Sequence, residues 1–445
     1  MKTEKFPKHV KLIAWVQNPK ENWDAEDPAS CGARGCFSES ASSQIHKEEI
    51  LRKDYEKRKE KIFQETSGRN HGAVLDQSFF IFSIDNLTRA STLLLCAPEY
   101  ASHLQQSLRR ATAERGFYLP NELKGTDAEK IMQEQFQLYA TMQEAKIPSE
   151  DARFILPLYT KTTIQSAWNA RELMHLDSIV DRFPILNETR DTIKQMVLSA
   201  KRVAPQLMEK RENNYEVLSW FPSSQLFANK NQSLEDYLER GGHSLVVSLI
   251  DSSKIKMNPK NIEKAVMEKD EVELANLKHY HFTFLVPMSI VTFHQATRQR
   301  TWNQSIESLP HAIRSGFYIT PESIKETPFE EKYKQITEKS LEFIKTQRGN
   351  PELFGVLPHN LIIHDLIHIN GWNAVYSIGK RTCTKAQWEI RGIAQQMAHC
   401  IKRESPELGK YAVPQGITFG RCPEKEPCGV CSKPNSKNPH DSEQK

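Results

Sequence analysis

Apolar and polar positions alternate most cleanly at two places, FFIFSI (Phe79 to Ile84) and HFTFLV (His281 to Val286). An apolar side chain at every second position is the period of a half-buried strand, because successive residues point to opposite faces. The second stretch lies in one of the more apolar segments of the chain, HYHFTFLVPMSIVTFHQ. A polar run, ATRQRTWNQSIESLPHA (Ala296 to Ala312), follows it. The segment HKEEILRKDYEKRKEKIF (His46 to Phe63) predicts one charged helix with a solvated face. HDLIH (His364 to His368) reads as a helix with two histidines at i and i+4 on one face. It lacks the glutamate of a zinc-protease helix, so core or pocket histidines are expected there.

The alternating stretches belong to a larger repeat. RGFYLP (Arg115 to Pro120) answers SGFYITP (Ser315 to Pro321), and SLRRA (Ser107 to Ala111) answers SLPHA (Ser308 to Ala312). FILP (Phe154 to Pro157) answers GVLP (Gly355 to Pro358), and Asn169 and Glu188 answer Asn370 and Glu389. All recur at a separation of about 200 residues, which marks an internal duplication. The expected architecture is α/β (α+β): two tandem units, each a sheet packed with long helices, forming a pseudo-dimer. The expected boundaries are 1–235, 236–420 and a Cys-containing polar tail at 421–445. The join is expected in the polar, Gly-Gly-ended stretch from Pro222 to Ser244, and disorder after Lys433.

Composition narrows the class. Of the 445 residues, 38% are hydrophobic and 26% charged, ordinary for a globular protein with a sizeable core. No apolar run is long enough for a membrane span and no signal peptide opens the sequence, so a cytoplasmic protein is expected. The formal charge of +4 fits a small anionic ligand, and the clustered basic and aromatic pattern of a nucleic-acid binder is missing. Eight cysteines without a signal suggest thiols or a metal site rather than a disulfide framework. No glycine-rich phosphate cradle is present, so side chains must hold any nucleotide.

Arginines supply the candidate chemistry. They stay charged and grip phosphate or carboxylate in a bidentate way. Aligning the repeats shows that the two copies keep arginines at alternate places. Arg298 and Arg300 face Cys96 and Pro98, and Arg381 faces Val180; conversely Arg109 faces Pro310, Arg153 faces Phe354 and Arg171 faces Trp372. Two halves that once shared sites are expected to lose residues in this complementary way.

These residues resemble the flavin-dependent thymidylate synthase family. RQRTWNQSIES (Arg298 to Ser308) after FTF, DARFILP (Asp151 to Pro157), NARELMH (Asn169 to His175) and RTCTKAQWEIR (Arg381 to Arg391) carry the resemblance. ARGCFS (Ala33 to Ser38) and NHGAVLDQ (Asn70 to Gln77) extend it. The resemblance implies methylation of a uracil nucleotide, dUMP to dTMP, with FAD as cofactor and NADPH and methylenetetrahydrofolate as co-substrates. It implies dUMP-binding residues Gln295, Arg298 and Arg381 from copy two and Gln105, Ser107, Arg109 and Arg153 from copy one, with Arg381 the catalytic group. For FAD it implies His71, Asn169, Arg171, His175, Arg298, Gln299, Arg300 and Asn370. Gln105 and Gln299 stand where the family has glutamate and histidine. Small-molecule nucleotide and folate are the implied partners, and a homodimer would restore the family's tetrameric arrangement as a pseudo-tetramer. A related pyrimidine nucleotide as substrate, or a non-catalytic flavin- or nucleotide-binding relative, are the alternative readings.

No nucleophilic cysteine is required by that scheme, and Cys383 reads as incidental. The tail sequence CPEKEPCGVC holds Cys422, Cys428 and Cys431, a knuckle spacing for zinc or an iron–sulfur centre. No fourth ligand is evident; Cys400, His399 and His440 are possibilities, and plain thiols are the alternative.

Overall fold

The two alternating stretches form the central antiparallel strands of two separate sheets in the computed structural model. It describes residues 8–69, 71–182, 185–210, 226–227, 231–242, 244–347 and 349–432. Asn70, parts of the join expected at 222–244, and the tail after Lys433 with His440 lie outside the described residues. By its contacts the chain divides into two units. One comprises Met1–Phe227 with Pro321–Pro358, and the other Ala228–Thr320 with His359–Lys445.

In the first unit the chain runs β1 (His9–Trp15), α1 (Asp27–Gly35), α2 (Ser42–Ile50), α3 (Tyr55–Glu65), β2 (Phe79–Thr88), α4 (Arg89–Leu95) and β3 (Ser102–Gln105). It continues through α5 (Asp127–Glu144), α6 (Ser149–Ala152), β4 (Lys161–Asn169), α7 (Ala170–Arg182) and α8 (Asn187–Val203). The second unit runs α9 (Gln232–Tyr237), β5 (Ser248–Ser253), α10 (Pro259–Glu263), α11 (Glu271–Leu277), β6 (His281–Ser289), α12 (Ile290–Ala296), β7 (Asn303–Ile306) and α13 (Leu309–Ser315). Next comes α14 (Glu330–Thr346), which packs in the first unit. The second unit resumes with β8 (Ile362–Asn370), α15 (Gly371–Asn373), α16 (Gly379–Arg381), α17 (Trp388–Glu404), α18 (Pro406–Gly409) and α19 (Gln415–Thr418). The sheet orders are β1-β2-β4-β3 and β5-β6-β8-β7, so the duplication seen in sequence is also a duplication of topology.

In the first unit Phe80, Phe82 and Ile84 of β2 are fully buried, as the alternation requires. Trp168 of β4, Leu173 and Leu176 of α7, and Ile193 and Met196 of α8 join them in one core. The helix α14 of the second repeat lies against α5. Gln135 donates to Ser340 Oγ and to the Val356 carbonyl, and the Leu158 amide donates to the Leu357 carbonyl. The repeated FILP and GVLP loops thus pair with each other in the first unit, at Pro157 and Pro358.

The duplicated glutamates have a structural reason. Thr88 caps α4 and donates to Glu188 Oε2 at 2.9 Å. Ser289 caps α12, and its amide and hydroxyl both donate to Glu389 at 2.6 Å. Each glutamate therefore fixes the start of the helix that follows the central strand.

Two expectations need correcting. The charged segment from His46 to Phe63 is two helices, α2 and α3, broken at Leu51–Asp54. Its solvated face is not wholly solvated: Lys59 is 1% exposed and pairs with Asp24, Glu26, Asp27 and Glu56. HDLIH lies in strand β8, not in a helix. Residues four apart share a face in a strand as well as in a helix, so the spacing does not separate the two.

Candidate functional site

The second unit gathers one set of predicted residues around the turn after α12. Thr297–Trp302 turns back on itself, with the Arg298 amide donating to the Gln295 carbonyl and the Gln299 amide to the Ala296 carbonyl. Arg298 and Arg300 are exposed on this turn and Gln299 is half-buried between them. With its amide oxygen turned toward Arg381, Gln299 accepts from Arg381 Nε at 3.1 Å and Nη2 at 2.6 Å. A neutral acceptor in the middle of the fork therefore holds the arginine at the end of α16.

The AQWEIR segment contributes through Gln387, which sequence reasoning did not single out. Its side-chain oxygen accepts from the amides of Glu389 and Ile390 and so caps α17. The same oxygen accepts from Gln295 Nε2 and from Thr292 Oγ1, both at 3.4 Å. Gln295, Arg298, Gln299, Arg300 and Arg381 thus occupy one neighbourhood, fixed by Ser289, Gln387 and Glu389.

The first unit gathers the other set. Gln105 ends β3 and donates to Thr92 Oγ1 at 2.9 Å. Ser107 opens a turn whose carbonyl accepts from the amides of Arg110 and Ala111. Arg109 Nε pairs with the Glu150 carboxylate at 2.5 Å, and Arg153 Nε donates to the Glu150 carbonyl at 3.0 Å. Glu150 at the start of α6 is the residue that joins these arginines, and no motif announced it.

The predicted flavin residues of the first unit divide into two kinds. Asn169 and its repeat partner Asn370 are helix caps: each side-chain oxygen accepts an amide three residues on, from Glu172 at 2.7 Å and Asn373 at 2.9 Å. His175 is buried one turn along α7, with Nδ1 3.8 Å from Glu172. His71 is exposed beside Gly72, and Arg171 packs on Gly72 so closely that a Cβ there would stand 2.7 Å from Arg171 Nε. Arg171 Nη1 donates to Asp76 at 3.2 Å.

The metal site expected at Cys422, Cys428 and Cys431 does not form. Among the described residues no group of three or more histidine, cysteine or carboxylate side chains is arranged to hold a metal ion. Cys400 is buried in α17. A cavity of about 410 Å³ between β1 and α8, lined by His9, Lys11 and Arg202 among others, contains none of the predicted residues.

A duplicated α/β protein with arginine clusters set at the ends of its central elements is the class these features define. The family model described as thymidylate synthase complementing protein matches residues 20–206 and 237–407. The chain belongs to this family, that of the flavin-dependent thymidylate synthases, and is an enzyme of the methyltransferase class. It is 30% identical over 190 residues to a flavin-dependent thymidylate synthase of Geobacter sulfurreducens, covering 41% of this chain and 80% of that one. It is 35% identical over 139 residues to that of Pyrococcus furiosus, covering 29% of this chain and 55% of that one. A solved UMP/dUMP methylase from Streptomyces cacaoi, bound with 5-Br dUMP, is 17% identical with a TM-score of 0.38, covering 45% of this chain and 93% of that one. No described helix is long and apolar enough to cross a membrane.

The family implies a flavin, FAD. The first unit has a feature that fits an anionic cofactor: Arg171 Nε is buried without a hydrogen-bond partner among the described residues, over a glycine that leaves room for it. A buried guanidinium nitrogen left unpaired is costly, and a phosphate oxygen would satisfy it.

Proposed function

We propose that this enzyme carries out the flavin-dependent reductive methylation of a uracil nucleotide, dUMP to dTMP, with methylenetetrahydrofolate as carbon donor and NADPH as reductant. The observation that carries the reading is the pairing of Gln299 with Arg381, which joins the RQR turn to the arginine before AQWEIR in a member of this family.

Arg298 and Arg109, with Arg153 and Ser107, are assigned to the nucleotide phosphate, which guanidinium groups and a hydroxyl bind well. Arg381 is assigned to the pyrimidine, where its fixed charge stabilises negative charge developing on the ring. Gln295 and Gln105 offer neutral amides to the base. Gln105 has no charge to accept a proton, so base recognition there is by hydrogen bond alone. His71 and Arg171 are assigned to the flavin, with Arg300 and Gln299. When bound, the reduced flavin supplies the hydride. The working assembly is read as a homodimer.

The test is conversion of dUMP by the purified chain with FAD, NADPH and methylenetetrahydrofolate, followed by mass spectrometry of the nucleotide, with UMP in parallel. Formation of dTMP that falls by about a hundredfold or more in Arg381→Ala and in Arg153→Ala supports the reading. Flavin binding with no methylated nucleotide from either substrate refutes it.

A further inference from the structure

Where α7 of the first unit carries Arg171, His175 and Ile179, the second copy carries Trp372, Tyr376 and Lys380. The burial reverses along with the chemistry. His175 and Ile179 are 1% and 2% exposed, whereas Tyr376 is 44% exposed and Lys380 is exposed too. The two rings stack, with centroids 5.7 Å apart and planes 14° from parallel. Lys380 Nζ lies 4.7 Å from the centre of the Tyr376 ring and donates to its hydroxyl at 3.1 Å. Trp372, Tyr376 and Lys380 follow one another four residues apart and so form a ladder along one face. Pairs of this kind add only weakly to a helix, and an exposed ring does not serve the core.

The adjacent row of the same helical segment fixes the ladder beside the candidate site. Asn373 Nδ2 donates to the Thr301 carbonyl at 3.2 Å, and Asn373 Oδ1 accepts from the Thr301 hydroxyl at 2.8 Å. Ser377 Oγ accepts from Trp302 Nε1 at 2.8 Å. Arg381 donates to Gln299, as described above. Three successive turns are thus bonded to residues 299–302, and a ladder residue stands one position before each of them. Between Ala374 and Ile378 the helix widens to i to i+5 hydrogen bonding, a local form often met at functional sites.

We propose that Trp372, Tyr376 and Lys380 bind the reduced pterin of the carbon donor, the flat ring resting on the aromatic pair and Lys380 taking a carboxylate of the glutamate tail. The identity of this ligand rests on the function proposed above. A conjugated heterocycle gains from an aromatic face what aliphatic surface does not offer. An ammonium group on a flexible stem can leave the tyrosine hydroxyl and follow a carboxylate. Position separates the donor from the reductant. The carbon has to reach the pyrimidine assigned to Arg381, the residue after Lys380, whereas NADPH has to reach only the flavin. Charge points the same way: one lysine matches a carboxylate tail, and a dinucleotide with its phosphate groups calls for guanidinium forks, which the ladder lacks.

The test uses the full-length protein loaded with FAD and titrated by calorimetry with 5-formyltetrahydrofolate, a reduced folate that carries no methylene group to transfer. Tyr376→Ala should weaken binding by about tenfold or more, and Tyr376→Phe should keep most of it. Lys380→Met should weaken it by about threefold. NADPH affinity, dUMP affinity and melting temperature should be unchanged in all three variants, which separates loss of the platform from loss of the fold. In turnover, KM for methylenetetrahydrofolate should rise in Tyr376→Ala while KM for NADPH and dUMP holds. Unchanged folate affinity in Tyr376→Ala overturns the proposal. So does a loss that falls on NADPH instead, or an unmutated chain that takes up no reduced folate. A chain that binds reduced folate through Tyr376 and forms no dTMP supports this inference and refutes the function. Formation of dTMP with an unaltered donor KM in Tyr376→Ala does the reverse.

Discussion

Glu307 is one of the most consequential buried charges of the second unit. It is 1% exposed, as is His364, and His311 is 3% exposed. One carboxylate oxygen accepts from the His364 amide at 2.8 Å and pairs with His364 Nδ1 at 2.9 Å; the other pairs with His311 Nδ1. Burial pushes the Glu307 carboxyl up, but the bonds from His311 and His364 outweigh it and leave it below its ordinary 4.5. The bond to Glu307 raises His311 above its ordinary 6.5. Glu307→Gln keeps the shape and removes the charge. Charge-assisted bonds contribute about 1.5–3 kcal/mol each, and glutamine can still satisfy one side, so the loss should be about 2–4 kcal/mol. A depressed carboxyl contributes stability above its unfolded pKa, lost as pH falls through the folded value. A raised histidine contributes fully below its unfolded pKa, and that contribution is lost as pH rises through the folded value. Both are complete between about pH 4.5 and 6.5. The penalty of the substitution should therefore be greatest in that window and should shrink at higher pH as His311 loses its proton. Calorimetry of the second unit's transition should show a drop of roughly 5–15 °C at pH 5.5 and a smaller one at pH 8.5. A drop that is the same at both values, or larger at pH 8.5, would refute the argument.

Other sites give sharper single outcomes. Lys59→Ala leaves the buried carboxylates Glu26 and Asp27 without their cation and should cost about 3–5 kcal/mol. Burial raises the Glu26 carboxyl, so mild acid should relieve part of that loss in urea titrations. Tyr159→Phe removes the hydroxyl that donates to Glu352 Oε2 at 2.6 Å in the first unit. It should cost about 1.5–3 kcal/mol by the same measurement. Arg171→Ala should weaken flavin binding by about tenfold to a hundredfold, read by fluorescence titration, because it removes the half-buried guanidinium whose Nε is buried and unpaired; unchanged affinity would take Arg171 out of the flavin site.

The strands β2 and β6 were legible because nothing polar interrupts their inward positions. Strands β4 and β8 were not. In β8 the inward face is Ile363, Asp365, Ile367 and Ile369, and the aspartate hides the alternation. Asp365 is tolerated because Gln304 donates to it at 2.6 Å, and burial pushes its carboxyl up to about 7. In β4 the fully buried Thr162 and Ser166 have the same effect. A pattern based on hydrophobicity cannot see polar residues whose partners lie elsewhere in the chain. In the candidate site the sequence drew attention to the arginines. It did not point to Glu150 or Gln387, because each acts by joining residues distant in sequence.

The duplication separates what the fold needs from what the chemistry needs. Residues kept in both copies, Glu188 with Glu389 and Asn169 with Asn370, all make helix-start hydrogen bonds. At the arginine positions the opposite holds. Val180, which answers Arg381, is 1% exposed in the core of the first unit, and Phe354, which answers Arg153, is a half-buried aromatic. Pro310, which answers Arg109, opens α13, where a missing amide proton costs nothing. Each copy that gave up an arginine thus put an apolar or helix-starting residue in its place, while the copy that kept it holds the charge exposed or half-buried. It follows that Glu188→Ala and Glu389→Ala should each lower the melting temperature, losing about 1–3 kcal/mol at a helix start. Arg153→Ala and Arg381→Ala should leave stability within about 1 kcal/mol and remove activity. Measuring both quantities on all four variants tests the separation. Arginine variants that melt as early as the glutamate variants would mean the alternation arose from packing and not from a divided function.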